Sequence, residues 1–204
     1  MTKRVAGILL AAGASQRLGR PKQLLEWNGQ PLIAHAARTA LAARLDPVIA
    51  VIGYRAGDMR AALLQTPVTL VENPRWPEGM STSLHAGVRA LPAEVEAAIM
   101  LLVDQPRISP AHLRAIVEAY QTSGKRIVSP AFQGRRASPT LFDRSLFEQL
   151  LSITGDTGGR SIVTANPHLA ATIEIENELD VLDIDTLEDW QRIASNGHFS
   201  GQTD

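Results

Sequence analysis

Short runs of β-branched and aliphatic residues alternate along the chain with alanine- and leucine-rich stretches of helical periodicity. The apolar runs predict strands at 5–10, 48–52, 69–71, 98–103, 126–129, 172–175 and 181–184. The amphipathic stretches predict helices at 32–43, 56–64, 81–91, 110–121, 144–151, 159–165 and 187–195. Strands that are apolar on both faces and separated by amphipathic helices indicate a mostly parallel sheet covered on both sides. Pro31 and Pro110 stand where helices would begin, a position that proline tolerates. The expectation is a single three-layer, Rossmann-like α/β domain over residues 1–196, followed by a flexible tail at 197–204.

Composition narrows this little but excludes several classes. A chain of 204 residues with 45% hydrophobic and 20% charged residues is that of an ordinary globular domain. The formal net charge of -1 gives no reason to expect nucleic acid or a membrane as partner. Any phosphate site must therefore be built from a few local groups. Cysteine is absent, which removes thiol catalysis and thiolate metal sites. The apolar run near the N-terminus is short and leads into Gly13, Arg17 and Lys22, unlike a signal peptide, so a cytoplasmic location is expected.

In folds of this kind ligands bind beyond the C-terminal ends of the strands, which directs attention to three segments. The first follows Leu10. Ala11, Ala12 and Gly13 are small enough to let a phosphate approach the backbone N–H groups, while Ser15, Arg17 and Lys22 add a hydroxyl and two cations. The spacing is neither that of a Walker A loop nor Gly-x-Gly-x-x-Gly. The second is Asp104, directly after a buried strand and suited to Mg²⁺, which takes one or two protein carboxylates together with phosphate oxygens and water. A helix N-cap is the structural alternative, although Ser109 offers that helix its own hydroxyl. The third is Asp185, expected at the end of the 181–184 strand, which is either a second metal ligand or, like Thr186, a cap for the last helix.

The long segment 72–87 carries Asn73, Gly79, Ser81 and Ser83, neutral groups of the kind that read a base edge or ribose. Its Trp76 reads better as a core anchor and Ser81 as an alternative helix cap. The five histidines show no metal-binding spacing, and no Gly-x-Ser-x-Gly elbow occurs.

Taken together, Leu10-Ala11-Ala12-Gly13-x-Ser15-x-Arg17-Leu18-Gly19-x-Pro21-Lys22-x-Leu24-Leu25 resembles the signature of nucleotidyltransferases related to the molybdenum cofactor cytidylyl- and guanylyltransferases. Asn73-x-x-Trp76-x-x-Gly79-Met80-Ser81-x-Ser83-Leu84-x-x-Gly87 resembles the narrower cytidylyltransferase-like subgroup. Asp104-Gln105-Pro106 and Asp183-Ile184-Asp185-Thr186 match its later motifs in order.

The resemblance implies a fold of the nucleotide-diphospho-sugar transferase type and transfer of a nucleoside monophosphate from a triphosphate, with Mg²⁺ as cofactor. Leu10, Ala11, Ala12, Gly13, Ser15, Asn73, Gly79, Ser81 and Ser83 would surround the nucleotide. Arg17 and Lys22 would hold its phosphates and act in catalysis with Asp104, and Asp104 and Asp185 would hold the metal. Alanine at position 12, where guanylyltransferases of the family carry a second glycine, implies CTP as donor.

Gly155-Asp156-x-Gly158-x-Arg160 resembles an acceptor-side motif, and Arg135, Arg136 and Arg160 are the candidate acceptor-binding residues. The resemblance implies a molybdenum-bearing pterin phosphate as acceptor and a molybdoenzyme or maturation protein as partner. Where relatives carry Arg-Gly-His/Asn-Pro, this chain reads Arg136-Ala137-Ser138-Pro139, which puts the acceptor in question. A sugar- or polyol-phosphate transferase of the same fold and a non-catalytic nucleotide-binding maturation protein remain the alternatives.

Overall fold

The structure, a computed structural model, describes residues 3–15 and 18–195. The expected tail at 197–204 and Arg17 lie outside the described residues. The strands are β1 (Val5–Ala11), β2 (Glu26–Trp27), β3 (Gln30–Pro31), β4 (Val48–Ile52), β5 (Thr69–Glu72), β6 (Ala97–Leu102), β7 (Ile127–Phe132), β8 (Arg135–Arg136), β9 (Thr140–Asp143) and β10 (Ala170–Glu174). The helices are α1 (Leu32–Ala42), α2 (Ala56–Ala62), α3 (Met80–Arg89), α4 (Pro110–Ser123), α5 (Phe147–Ser152), α6 (Arg160–Ala165) and α7 (Leu187–Ser195).

The central sheet runs β10-β7-β9-β6-β1-β4-β5, with β8 hairpinned onto β7. Strands β5, β4, β1 and β6 are parallel, and β9 inserts antiparallel between β6 and β7. Alternate residues of β1 divide the core into its two faces, as the two-residue period of a strand requires. Val5, Leu9 and Ala11 pack with Ile33, Ala37, Ile116 and Tyr120 from α1 and α4. Ala6 and Ile8 pack with Leu84 and Val88 of α3 and with Phe147 and Leu150 of α5. The two layers of helices therefore press on a sheet whose middle is wholly buried.

Helix α3 approaches β1 closely. A Cβ added at Gly87 would sit 2.4 Å from Ile8 Cγ2, so only glycine permits this packing. The same Cβ would lie 3.2 Å from Val51 Cγ2, so α3 packs across both β1 and β4.

Two expectations require correction. The segment 181–184 is not a strand. It leaves a 3₁₀ turn (Glu178–Val181) and runs outside the sheet. Leu182 and Ile184 serve a separate cluster instead, in which Ile184 packs with Leu25, Leu32 and Ile193, while Val181 packs on the main core. The second correction is β9, which the pattern missed because its four residues have buried Leu141 and Phe142 flanked by half-buried ends and pass directly into a helical segment.

A buried hydroxyl ties α4 to the sheet. Tyr120 Oη donates to Asp143 Oδ2 at 2.6 Å, and Asp143 Oδ1 accepts from Ser145 N and Oγ at 2.9 and 2.6 Å. Burial pushes the Asp143 carboxyl up, but the hydrogen bonds from Ser145 and Tyr120 outweigh it and hold the group below its ordinary value. Because the folded value is depressed, the stabilisation is present above the ordinary carboxylate pKa and is lost as pH falls through the folded value. Tyr120→Phe is therefore expected to lower stability by about 1–2 kcal/mol near neutrality. Denaturant melts should show that deficit shrinking as pH drops below about 4, where the unfolded carboxyl protonates; a deficit independent of pH would remove the Asp143 bond as its cause.

Candidate functional site

Three chain segments meet at the C-terminal edge of the sheet. They are the loop after β1, the residue following Val103 beyond β6, and the segment leading into α7. Lys22, in a 3₁₀ turn (Lys22–Leu24), reaches across so that Nζ donates to Asp104 Oδ2. The same ammonium lies 3.4 Å from Asp185 Oδ1 and 3.5 Å from the Ile184 carbonyl oxygen. Ile184 N donates to Asp104 O at 2.9 Å, so the backbone itself carries Asp185 to this point without a strand. Burial pulls the Lys22 pKa down, but the carboxylates of Asp104 and Asp185 more than reverse this and hold it above the ordinary lysine value.

Asp104 is 6% exposed, and its Oδ1 is buried with no hydrogen-bond partner among the described residues. An ionised oxygen so placed is costly unless a cation meets it. Asp104 is not a helix cap: Ser109 caps α4 by accepting from His112 N at 3.2 Å. Nor does Asp185 cap α7. Thr186 and Asp189 form a reciprocal pair there, Thr186 N donating to Asp189 Oδ2 at 2.8 Å and Asp189 N to Thr186 Oγ1 at 3.1 Å. Asp183, a neighbour missing from the sequence-derived set, is pushed up to about 6 by burial and by the charge of Asp104.

These groups line one side of a cleft of about 640 Å³. Its wall includes Leu10, Ala12, Gly13, Ser15, Lys22, Gly79, Ser83, Asp104 and Asp185 from the expected set. Ala11 and Ser81 are buried behind it, as is Asn73. Asn73 is committed to the fold: Nδ2 donates to Thr82 Oγ1 and Ser83 Oγ at 2.9 and 3.0 Å, and Oδ1 accepts from Arg75 N at 3.0 Å. Ser81 contributes its backbone, N donating to Gly155 O at 3.1 Å. Arg135 and Arg136 lie exposed on β8 and Arg160 exposed at the start of α6; none of the three lines the cleft.

Several lining residues stand outside the expected site set, although the motifs contain or adjoin them. Trp76, expected as a core anchor, is half-buried and packs against the core beneath α3, and it also lines the cleft, meeting Tyr54 edge-on with ring centroids 5.5 Å apart. Asp156 closes the far side, its Oδ1 accepting from Met80 N at 3.3 Å. Gln23 sits behind the first loop, and its place beside Lys22 in the motif was the available hint. No group of three or more metal-ligating side chains occurs among the described residues.

A nucleotide-sized cleft at the strand ends, with a small-residue loop, a lysine and a buried carboxylate, defines the site of a nucleotidyltransferase of the nucleotide-diphospho-sugar transferase type. The chain belongs to the MobA-like NTP transferase domain family, whose model matches residues 7–171. It is 33% identical over 198 residues to the nicotine blue oxidoreductase of Paenarthrobacter nicotinovorans, covering 93% of this chain and 96% of that protein. It is 27% identical to the molybdenum cofactor cytidylyltransferase of Escherichia coli over 90% of this chain and 92% of that one. Rv0371c of Mycobacterium tuberculosis, 27% identical, superposes over 96% of this chain and all of that one with a TM-score of 0.84. Its structure in complex with manganese matches over the same shares with a TM-score of 0.79.

The cleft's far wall depends on Gly79, which adopts φ +114; an added Cβ would lie 2.5 Å from the carbonyl carbon and oxygen of Gly155. Gly79→Ala is therefore expected to cost about 1–3 kcal/mol and to push the 155–156 segment off α3. Thermal melts together with turnover measure this, and an Ala variant with unchanged melting and rate would show that the two backbones need not meet.

Proposed function

We propose that the protein transfers CMP from CTP to a molybdenum-bearing pterin phosphate, with Mg²⁺, releasing pyrophosphate. The observation that carries this reading is the buried, unpartnered Oδ1 of Asp104 beside the Lys22 ammonium in a cleft of nucleotide size. The charge balance of the wall supports the metal. Among the described lining residues Lys22 faces Glu78, Asp104, Asp156 and Asp185, so a triphosphate would meet an excess of negative charge without added cations. Asp104, with Asp185, would hold Mg²⁺, which when bound supplies charge to the phosphate oxygens and eases the departure of pyrophosphate. That Rv0371c, of the same fold, forms a complex with manganese supports a divalent ion as the cofactor.

An acceptor phosphate oxygen attacks the α-phosphorus of the triphosphate; the new P–O bond forms as the bond to the β-phosphate oxygen breaks. A phosphomonoester arrives already ionised, so no general base is needed, and no histidine is among the described residues that line the cleft. Lys22 stabilises the charge that develops, with Arg17 assigned to the same task. Arg135, Arg136 and Arg160 would meet only the part of an acceptor that extends beyond the cleft. The molybdenum cofactor cytidylyltransferase among the relatives supports the choice of acceptor, and Ala12 supports the choice of base.

Lys22→Ala and Asp104→Asn are each expected to reduce pyrophosphate release by about 10²–10³. Lys22→Ala should also melt lower, because it leaves Asp104 buried without its cation, and Mg²⁺ should restore part of that loss. A near-parental rate at saturating Mg²⁺ and substrate would remove the residue from the mechanism.

CTP is expected to give a higher kcat/KM than GTP, with Ala12→Gly narrowing the gap by about 1–3 kcal/mol. Pyrophosphate release over the four triphosphates and a set of acceptors, with assay of the pterin dinucleotide, tests donor and acceptor together. Equal use of CTP and GTP counts against the base assignment. Efficient cytidylylation of a sugar or polyol phosphate, with no dinucleotide formed, replaces the acceptor. Absence of pyrophosphate release under every combination overturns the transfer itself.

A further inference from the structure

We infer that Gln23 is a positioning residue that shapes the triphosphate-binding loop, an inference that rests on the nucleotide site proposed above. Gln23 is 2% exposed, and its amide uses every hydrogen-bonding group it has. Nε2 donates to Ala11 O at 3.1 Å and to Gly13 O at 2.6 Å, and Oε1 accepts from Ser15 Oγ at 3.3 Å. Two carbonyl partners fix which end of the amide is nitrogen.

The consequence for the loop follows from peptide geometry. In a trans peptide the carbonyl and the next N–H point in opposite directions. With Gly13 O held by Gln23, the N–H of Ala14 faces away from Gln23, and with Ala11 O held, so does the N–H of Ala12. Ala12 O is taken from another direction by Tyr54 N at 2.9 Å. All three carbonyls of 11–13 are thus engaged by protein donors. Their negative ends would otherwise repel phosphate oxygens, while the N–H ends attract them.

Ser15 supplies an independent sign that the loop is held in a defined shape. It adopts φ 54, a left-handed conformation that non-glycine residues rarely take unless the surroundings impose it. Its hydroxyl donates to Gln23 and accepts from Lys22 N at 3.2 Å, which clips the far end of the loop to the turn carrying the lysine. Adjacent residues divide the work: Lys22 reaches Asp104, and Gln23 sets the backbone in front of it. Only an amide of this length has two donors and one acceptor at the right end. Glutamate would turn an acceptor toward two carbonyls, and methionine would fill the space with neither.

The test uses the full chain with Gln23→Met, Gln23→Glu and Ser15→Ala. Binding of a CTP analogue with a methylene in place of the α,β-bridging oxygen is followed in the presence of Mg²⁺ by the fluorescence of Trp76 and its fellow tryptophans. Pyrophosphate release gives kcat and KM separately, and melting checks the fold. Both Gln23 variants should weaken analogue binding and raise the CTP KM by about tenfold or more, with kcat within about threefold of the parent. Ser15→Ala, which removes one arm of the clamp, should show the same split to a smaller extent. Parental analogue affinity in a folded Gln23→Met overturns the inference, as does a loss that falls on kcat alone. Loss of binding that only accompanies a collapse in melting, in all three variants, reduces the residue to a structural role and overturns it too. If the parent binds the analogue but releases no pyrophosphate, the transfer reading fails, while weakened binding in the variants still upholds the role of Gln23.

Discussion

The pairing of Lys22 with Asp104 is the interaction on which the ligand edge of this protein depends. A carboxylate at the end of a buried strand is expensive to desolvate, and the lysine that meets it must come from a different segment. The reach of Lys22 requires its turn to lie against the start of α1, and the backbone of Asp104 in turn holds Ile184. One small apolar cluster satisfies both demands: Leu25, just past the lysine, packs with Leu32 of α1, Ile184 and Ile193 of α7. A buried ion pair adds little net stability compared with apolar residues of the same volume. Its retention beside an oxygen left without a partner is better explained by a charged ligand than by folding.

The amino-acid sequence discloses the parallel half of the sheet well, because β1, β4 and β6 are buried on both faces and read as unbroken apolar runs. Helices α1, α3 and α4 are equally visible, carrying one apolar stripe each and, in α4, a capping serine before a proline. The antiparallel insertion of β9 is invisible for a physical reason: four residues carry too little alternation to be distinguished from the helical segment they enter. The run Val181–Ile184 misleads in the opposite sense, since Leu182 and Ile184 pack in a local cluster and the run pairs with no strand.

The site shows the same division. Lys22 and Asp104, whose chemistry is carried by charge, converge as their place after β1 and β6 implies, and Asp185 joins them without the strand expected before it. Residues whose chemistry is neutral could not be sorted from the sequence. Asn73 and Ser83 are equally polar on paper and equally buried, yet only Ser83 also lines the cleft. The polar partner that decides between them, here Thr82 and the backbone of Arg75, becomes a neighbour only when the loop folds. Gln23 was overlooked for that reason, since nothing in a lone glutamine announces three tertiary hydrogen bonds.

The near-neutral net charge of the chain acquires its meaning here. Without a broad basic face, the protein must create positive potential by local means, and the structure contains two of them. One is the Lys22 ammonium, whose carboxylate neighbours hold its pKa above the ordinary lysine value and so keep it charged. The other is the withdrawal of the carbonyls of Ala11, Ala12 and Gly13 from the face where their N–H partners are presented. Both act over a few ångströms, and the first is already opposed by the carboxylates of Asp104 and Asp185. Under the proposed function, a polyphosphate approaching this cleft would gain most by bringing a divalent cation to those same carboxylates. Held by Asp104 and Asp185, such a cation would supply positive charge against the repulsion between protein and substrate, and Lys22, less tightly held by Asp104, would be free to turn toward phosphate. Nucleotide, metal and lysine would in this way depend on one another, and the oxygen of Asp104 that has no partner among the described residues is the observation behind that proposal.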